Sequence, residues 1–141
     1  DVFKLESPVN AADAPGNGAE GADEVQKLFD EMGRLAGRPW VMLSAGAGKA
    51  EFRNILSHAY AAGASGYLAG RAIWLDAFSA FPDWERMRAG LAGDSITYMR
   101  DLNALTDAGA RPWHSHECYG QAGASIQPAD GGFRHAYRGF A

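Results

Sequence analysis

Val41-Met42-Leu43-Ser44-Ala45-Gly46-Ala47-Gly48-Lys49 is the stretch that decides the fold. Three apolar residues in succession, ended by a turn of small residues, read as a buried strand. Lys49 to Ala62 then reads as a helix, with Phe52, Ile55, Leu56, Ala59 and Tyr60 on one face and Gly63 at the C-terminal cap position. Strand, tight turn and helix in that order make a βα unit.

Working outward, the same unit recurs on both sides. Upstream, Val2 to Glu6 alternates as a short strand, with Phe3 and Leu5 on one side and Val2, Lys4 and Glu6 on the other. Ser7-Pro8 ends it. Asn10 to Gly21 is a loop of small and polar residues. Asp23 is the expected N-cap of a helix, with Gln26 completing a capping box. Val25, Leu28, Phe29, Met32 and Leu35 follow at helical spacing, and Gly37 closes the run.

Downstream, Gly66-Tyr67-Leu68-Ala69 is a third strand, ending at Gly70-Arg71. A helix is expected from Ala72 or Ile73 to about Phe81. Asp83 is the expected cap of a short helix through Met87, and Asp94 of a last one with Ile96, Met99, Leu102 and Leu105 inside. From Gly109 the pattern decays into a tail with Phe133, Tyr137 and Phe140 interspersed. Strand spacings of roughly 25–40 residues suit βαβ units. The fold class is therefore α/β. The region 1–108 would supply three of the eight units of a (β/α)₈ barrel, which takes roughly 250 residues in full. Residues 109–141 form a C-terminal extension.

Composition narrows the function classes. The 141 residues carry a net charge of -4, which gives no basis for non-specific nucleic-acid binding. A small anion needs only a local cluster of donors. The lone Cys118 forms no internal disulfide framework. No stretch approaches the roughly 20 apolar residues that span a bilayer. The first residues show no signal-peptide pattern, so a cytoplasmic location is expected.

Polar groups mark the strand ends, where a barrel builds its active face. Lys4, flanked by Phe3 and Leu5, is either an amine desolvated for attack on a carbonyl or an edge-strand charge that blocks aggregation. Glu6 shares its face and is either an auxiliary carboxylate or a solvated acid. Ser44 to Gly48 suits an anion-binding turn, with Lys49 adding charge, although the Walker order is absent. Arg71 offers a planar fork of donors for phosphate, or else pairs with Asp76. His114, His116, Glu117 and Cys118 match no common zinc template, so no metal is expected. His58 lies off the apolar stripe and reads as surface. Trp40, Trp74, Trp84 and Trp113 suit core or subunit contacts.

Asp1-Val2-Phe3-Lys4-Leu5-Glu6, Leu43-Ser44-Ala45-Gly46 and Ala69-Gly70-Arg71-Ala72-Ile73-Trp74 together resemble the class I tagatose 1,6-bisphosphate aldolase family, which includes the aldolases cleaving sulfofructose 1-phosphate. The resemblance covers about residues 1–108. It implies the last three units of the barrel, strands six to eight, with Lys4 as the Schiff-base lysine. It further implies that Ser44 and Gly46, with Gly70 and Arg71, hold the C1 phosphate of a ketose. Dihydroxyacetone phosphate and an aldehyde would be the products, with no cofactor. The family's fourth and fifth strands supply a further lysine and a glutamate for proton transfer, and neither lies before Asp1. An upstream barrel segment, in the same or another polypeptide, is therefore an expected partner, and a homo-oligomer the base-rate expectation. Transaldolase-like carbon transfer and a non-catalytic phosphosugar-binding or barrel-completing module are the alternatives.

Overall fold

A computed structural model describes residues 2–125. Asp1 and the tail residues 126–141, with Phe133, Tyr137 and Phe140, lie outside the described residues. Three short strands, β1 (Phe3–Leu5), β2 (Trp40–Leu43) and β3 (Gly66–Leu68), form a parallel sheet in the order β1-β2-β3. Helix α1 (Ala22–Ala36) joins β1 to β2, and α2 (Lys49–Ala61) joins β2 to β3. After β3 come α3 (Arg71–Phe78), α4 (Trp84–Gly90), a π turn (Leu91–Ser95) and α5 (Ile96–Gly109). Two single-turn 3₁₀ segments follow, at Trp113–Ser115 and Glu117–Tyr119.

Register divides the sheet into two unlike faces. Lys4 pairs with Val41, and Val41 with Gly66; one step on, Leu5 pairs with Met42 and Met42 with Tyr67. Residues paired across the sheet share a face, and successive residues alternate. Trp40 and Met42 are buried beneath the helices together with Phe29, Phe52, Ile55, Leu56 and Leu102. Val41 and Leu43, on the face with Lys4, are only half-buried, and Leu68 is 46% exposed. The helices therefore cover one face, and the other is left open. At Gly33 a Cβ would lie 2.6 Å from the Ala62 carbonyl oxygen, so α1 meets the end of α2 only because that side chain is missing.

Several local expectations are corrected. Helix α1 begins two residues early, after Gly21 (φ 79), so Asp23 sits in its first turn rather than capping it. Gln26 instead reaches Asp30 and His58. Helix α3 ends at Phe78, not near Phe81. Asp83 does cap α4, accepting the Arg86 N–H at 2.9 Å, but α4 runs to Gly90. Asp94 caps nothing, because the π turn carries the helical path straight from α4 into α5. That widened turn also rotates α5, so Tyr98 and Leu102 are buried while Ile96 and Met99 are 37% and 39% exposed. Finally, His58 is 1% exposed rather than on the surface, because the loop after β1 folds over it. Among the described residues, no helix is long and apolar enough to cross a membrane.

Tyrosines tie α5 to the rest. The Tyr98 hydroxyl donates to the Lys49 carbonyl at 2.9 Å, and the Tyr60 and Thr106 hydroxyls lie 2.6 Å apart. Burial, reinforced by nearby Tyr67, pushes the Tyr98 phenol up to about 12, whereas the unfolded side chain ionises near 10. Between those values the unfolded chain has lost a proton that the folded chain keeps, so stability falls as pH rises. Urea unfolding should lose roughly 2 kcal/mol across that window, and the loss should shrink in Tyr98→Phe.

Candidate functional site

The site is built where β2 and β3 end. The Ser44 N–H donates to the Leu68 carbonyl at 3.0 Å, extending the ladder one step past β2 and holding Ser44 beside the end of β3. Ser44 is 5% exposed. The Ala47 N–H donates back to the Ser44 carbonyl at 2.8 Å and closes the turn. Between them Ala45 (φ 48) and Gly46 (φ 88) both lie in the left-handed region. Glycine takes that conformation freely, but for alanine it is a strained state of the kind that concentrates at functional sites.

Gly46 is also where the two turns meet. A Cβ there would lie 3.2 Å from Arg71 Nη2 and 3.5 Å from Cζ, so the guanidinium rests directly against the Gly46 backbone. Arg71 opens α3, and Gly70 holds the N-cap position ahead of it. Ser44, Gly46, Gly70 and Arg71, picked from two distant stretches of sequence, thus share one rim. Helices α2 and α3 both begin at this rim, and a helix start favours negative charge.

Lys49 does not join them. Its Nζ lies 2.8 Å from Asp76 Oδ2 and 5.8 Å from the centre of the Tyr98 ring. From the sequence alone Lys49 is expected to charge the turn, and Arg71 is free to pair with Asp76. The structure exchanges the two cations: α3 presents Asp76 to Lys49, and Arg71 is left to face Gly46.

Lys4 is exposed and lies on the open face of the sheet, in one row with Val41 and Gly66. That row is three residues short of Ser44 along β2. Because β1 is an edge strand, the aggregation-guard reading of Lys4 also has the geometry it requires. Glu6 lies nearer the rim. With Asn10, Ala11, Leu43, Ser44 and Ala45 it lines a cavity of about 230 Å³ between the loop after β1 and the Ser44 turn. A larger cleft of about 440 Å³, walled by Lys49, Asp76, Arg86 and Asp94, includes none of the six candidate residues. The strain at Ala45 and the loop wall of the smaller cavity escape the sequence reading. Alanine carries no turn signal, and the loop closes only in three dimensions.

At the far end, the Cys118 N–H donates to His116 Nδ1 at 3.2 Å, and Glu117 lies 3.5 Å from Arg111. Among the described residues, no three His, Cys, Asp or Glu side chains converge as a metal site would require.

Gly46→Ala should cost about 1–2 kcal/mol of stability from the left-handed backbone alone. The added methyl should also displace the Arg71 guanidinium. Denaturant unfolding and the Arg71 side-chain resonance are the checks, and an unshifted Arg71 signal would contradict the packing described.

Comparison with known proteins identifies the family. The family described as DeoC/LacD family aldolase matches residues 1–76. A tagatose 1,6-diphosphate aldolase from Listeria monocytogenes serotype 4a (strain HCC23) is 33% identical over 121 residues, covering 80% of this chain and 36% of the relative. Tagatose 1,6-diphosphate aldolase 1 of Enterococcus faecalis (strain ATCC 700802 / V583) is 38% identical over 112 residues, covering 74% of this chain and 34% of the relative. Tagatose 1,6-diphosphate aldolase 2 of Streptococcus mutans serotype c is 32% identical over 122 residues, covering 80% and 37%. The chain spans a little over a third of the length of these curated relatives. Since the family match takes in all three strands and both turns of the rim, and more than half of the residues, this chain belongs to the DeoC/LacD family of aldolases.

Proposed function

We propose that this chain supplies the covalent lysine and the phosphate grip of a class I aldolase. The enzyme would reversibly cleave a ketose 1-phosphate or 1,6-bisphosphate into dihydroxyacetone phosphate and an aldehyde. The observation that carries the reading is the Arg71 guanidinium resting on Gly46, which joins two helix-initiating turns into one cationic rim. A planar fork of donors beside a left-handed turn of small residues suits a phosphate dianion. The tagatose 1,6-diphosphate aldolases similar to this chain agree with a sugar bisphosphate as substrate.

In this reading the C1 phosphate binds at Ser44, Gly46, Gly70 and Arg71. The Lys4 amine adds to the C2 ketone, water leaves, and a protonated imine forms. A base takes the proton of the C4 hydroxyl, the C3–C4 bond breaks, and its electron pair passes into the iminium. The aldehyde departs. The remaining enamine is protonated at C3, and water hydrolyses the imine to free dihydroxyacetone phosphate and Lys4. The iminium performs the polarisation that a Lewis acid performs in a metal-dependent aldolase. Glu6, on the wall beside Ser44, is an auxiliary group for a substrate hydroxyl.

The open sheet face is then the lumen of a (β/α)₈ barrel whose other units lie outside this chain, and those units bring the remaining proton-transfer groups. Two features support the completion. The face with Lys4 is uncovered, and the β1 edge borders an apolar groove of about 480 Å³ with Phe3 41%, Leu28 44% and Leu35 67% exposed. A cytoplasmic homo-oligomer is the arrangement that accompanies this reading.

Borohydride reduction of the complete barrel with dihydroxyacetone phosphate, followed by peptide mapping, should leave an adduct on Lys4. The adduct should vanish in Lys4→Met; an active enzyme modified elsewhere, or not at all, would falsify the reading. Arg71→Ala should weaken phosphate binding by about 1.5–3 kcal/mol, the scale of a charged hydrogen bond. Titration with inorganic phosphate measures it.

A further inference from the structure

His58 is buried at 1% exposure on α2 and takes no part in the chemistry above. Its Nδ1 lies 2.8 Å from Gln26 Oε1, and its Nε2 lies 2.9 Å from the Pro15 carbonyl oxygen. A carbonyl oxygen only accepts, so Nε2 must carry a proton. The Gln26 amide has its orientation decided elsewhere. Its Nε2 donates to Asp30 Oδ1 at 2.7 Å and to the His58 carbonyl at 3.2 Å. Turning the amide over would set an oxygen against those two acceptors. Gln26 Oε1 is therefore the atom facing the ring, and Nδ1 must donate as well.

We infer that His58 is held as a doubly protonated imidazolium that latches the loop Asn10–Gly21, and that it acts as a positioning residue for the rim. The latch reaches the loop at Pro15, and Asn54, also on α2, donates to the neighbouring Ala14 carbonyl at 3.1 Å. Val9, Asn10 and Ala11, at the head of that loop, line the cavity shared with Glu6 and Ser44. The ring also stacks on Phe29 of α1, with centroids 5.5 Å apart. Among the described residues no salt bridge reaches the ring. Asp30 of α1 is linked to the ring through Gln26, and Asp13 of the loop accepts from Asn10 at 3.1 Å. The consequence of the latch for ligand rests on the reading of the Ser44 rim as a phosphate site, whereas the latch itself does not.

The test uses the complete polypeptide with ¹⁵N-labelled histidine, the His58 signals being assigned by their loss in His58→Phe. Two ring N–H groups are expected for His58. The loop amides of Asp13, Ala14 and Ala19 should be protected from exchange in the wild type. His58→Phe keeps the stack but neither donor, and should speed that exchange by roughly tenfold and weaken inorganic phosphate binding several-fold. Gln26→Met, away from the tightly packed core, should reduce His58 to one ring proton and loosen the loop by a smaller factor. A single ring proton beside a protected loop overturns the inference. So does wild-type exchange in both variants, or unchanged phosphate binding beside a loosened loop. Absence of a Lys4 adduct would sink the aldolase reading and leave the ring-proton and exchange results standing.

Discussion

The Ser44 N–H donating to the Leu68 carbonyl is one backbone hydrogen bond, yet the site hangs on it. Parallel strands are joined by long crossovers, so nothing local brings the end of β2 beside the end of β3. Only the shared register does so, by running Val41 against Gly66 and Leu43 against Leu68 and then continuing to Ser44. Once Ser44 is fixed there, the next residues must turn left-handed, and the start of α3 falls within reach of Gly46. A slip of one residue would send Lys4 to the helix-covered face and part Arg71 from its turn.

The same pairing sorts apolar bulk. Trp40 and Met42 go under the helices, where Phe29, Phe52 and Leu56 enclose them, while Val41, Leu43 and Leu68 stay on the open side. A sheet with one dry face and one half-apolar open face is incomplete on its own terms, because a parallel sheet ordinarily has both faces covered. The polar interior contacts follow the covered side. His58 and Tyr98 are buried there because hydrogen-bond partners on other elements meet them.

Charge at the rim is arranged by exclusion as much as by attraction. Asp76 and the Tyr98 ring hold Lys49 to one side, so the guanidinium is the cation left beside the turn. The difference matters chemically. Arginine presents a flat, directional fork and stays charged, whereas an ammonium is a mobile point charge. A rim built this way would offer its donors to an anion in one orientation.

Much was legible in the residues alone. Period-2 and apolar runs located the three strands, 3.6-residue spacing located α1 and α2, and Gly37 and Gly63 marked their ends, because those signals are local and need no partner. The three motifs around Lys4, Ser44 and Arg71 likewise declared the aldolase family. What the tertiary structure decided were matters of pairing between distant segments: which cation faces Gly46, where Asp76 points, why His58 is buried, and how the π turn rotates Tyr98 rather than Met99 inward. Each depends on a hydrogen bond or contact across 25 or more residues, or on a helix phase set by its neighbours, and a linear pattern carries neither.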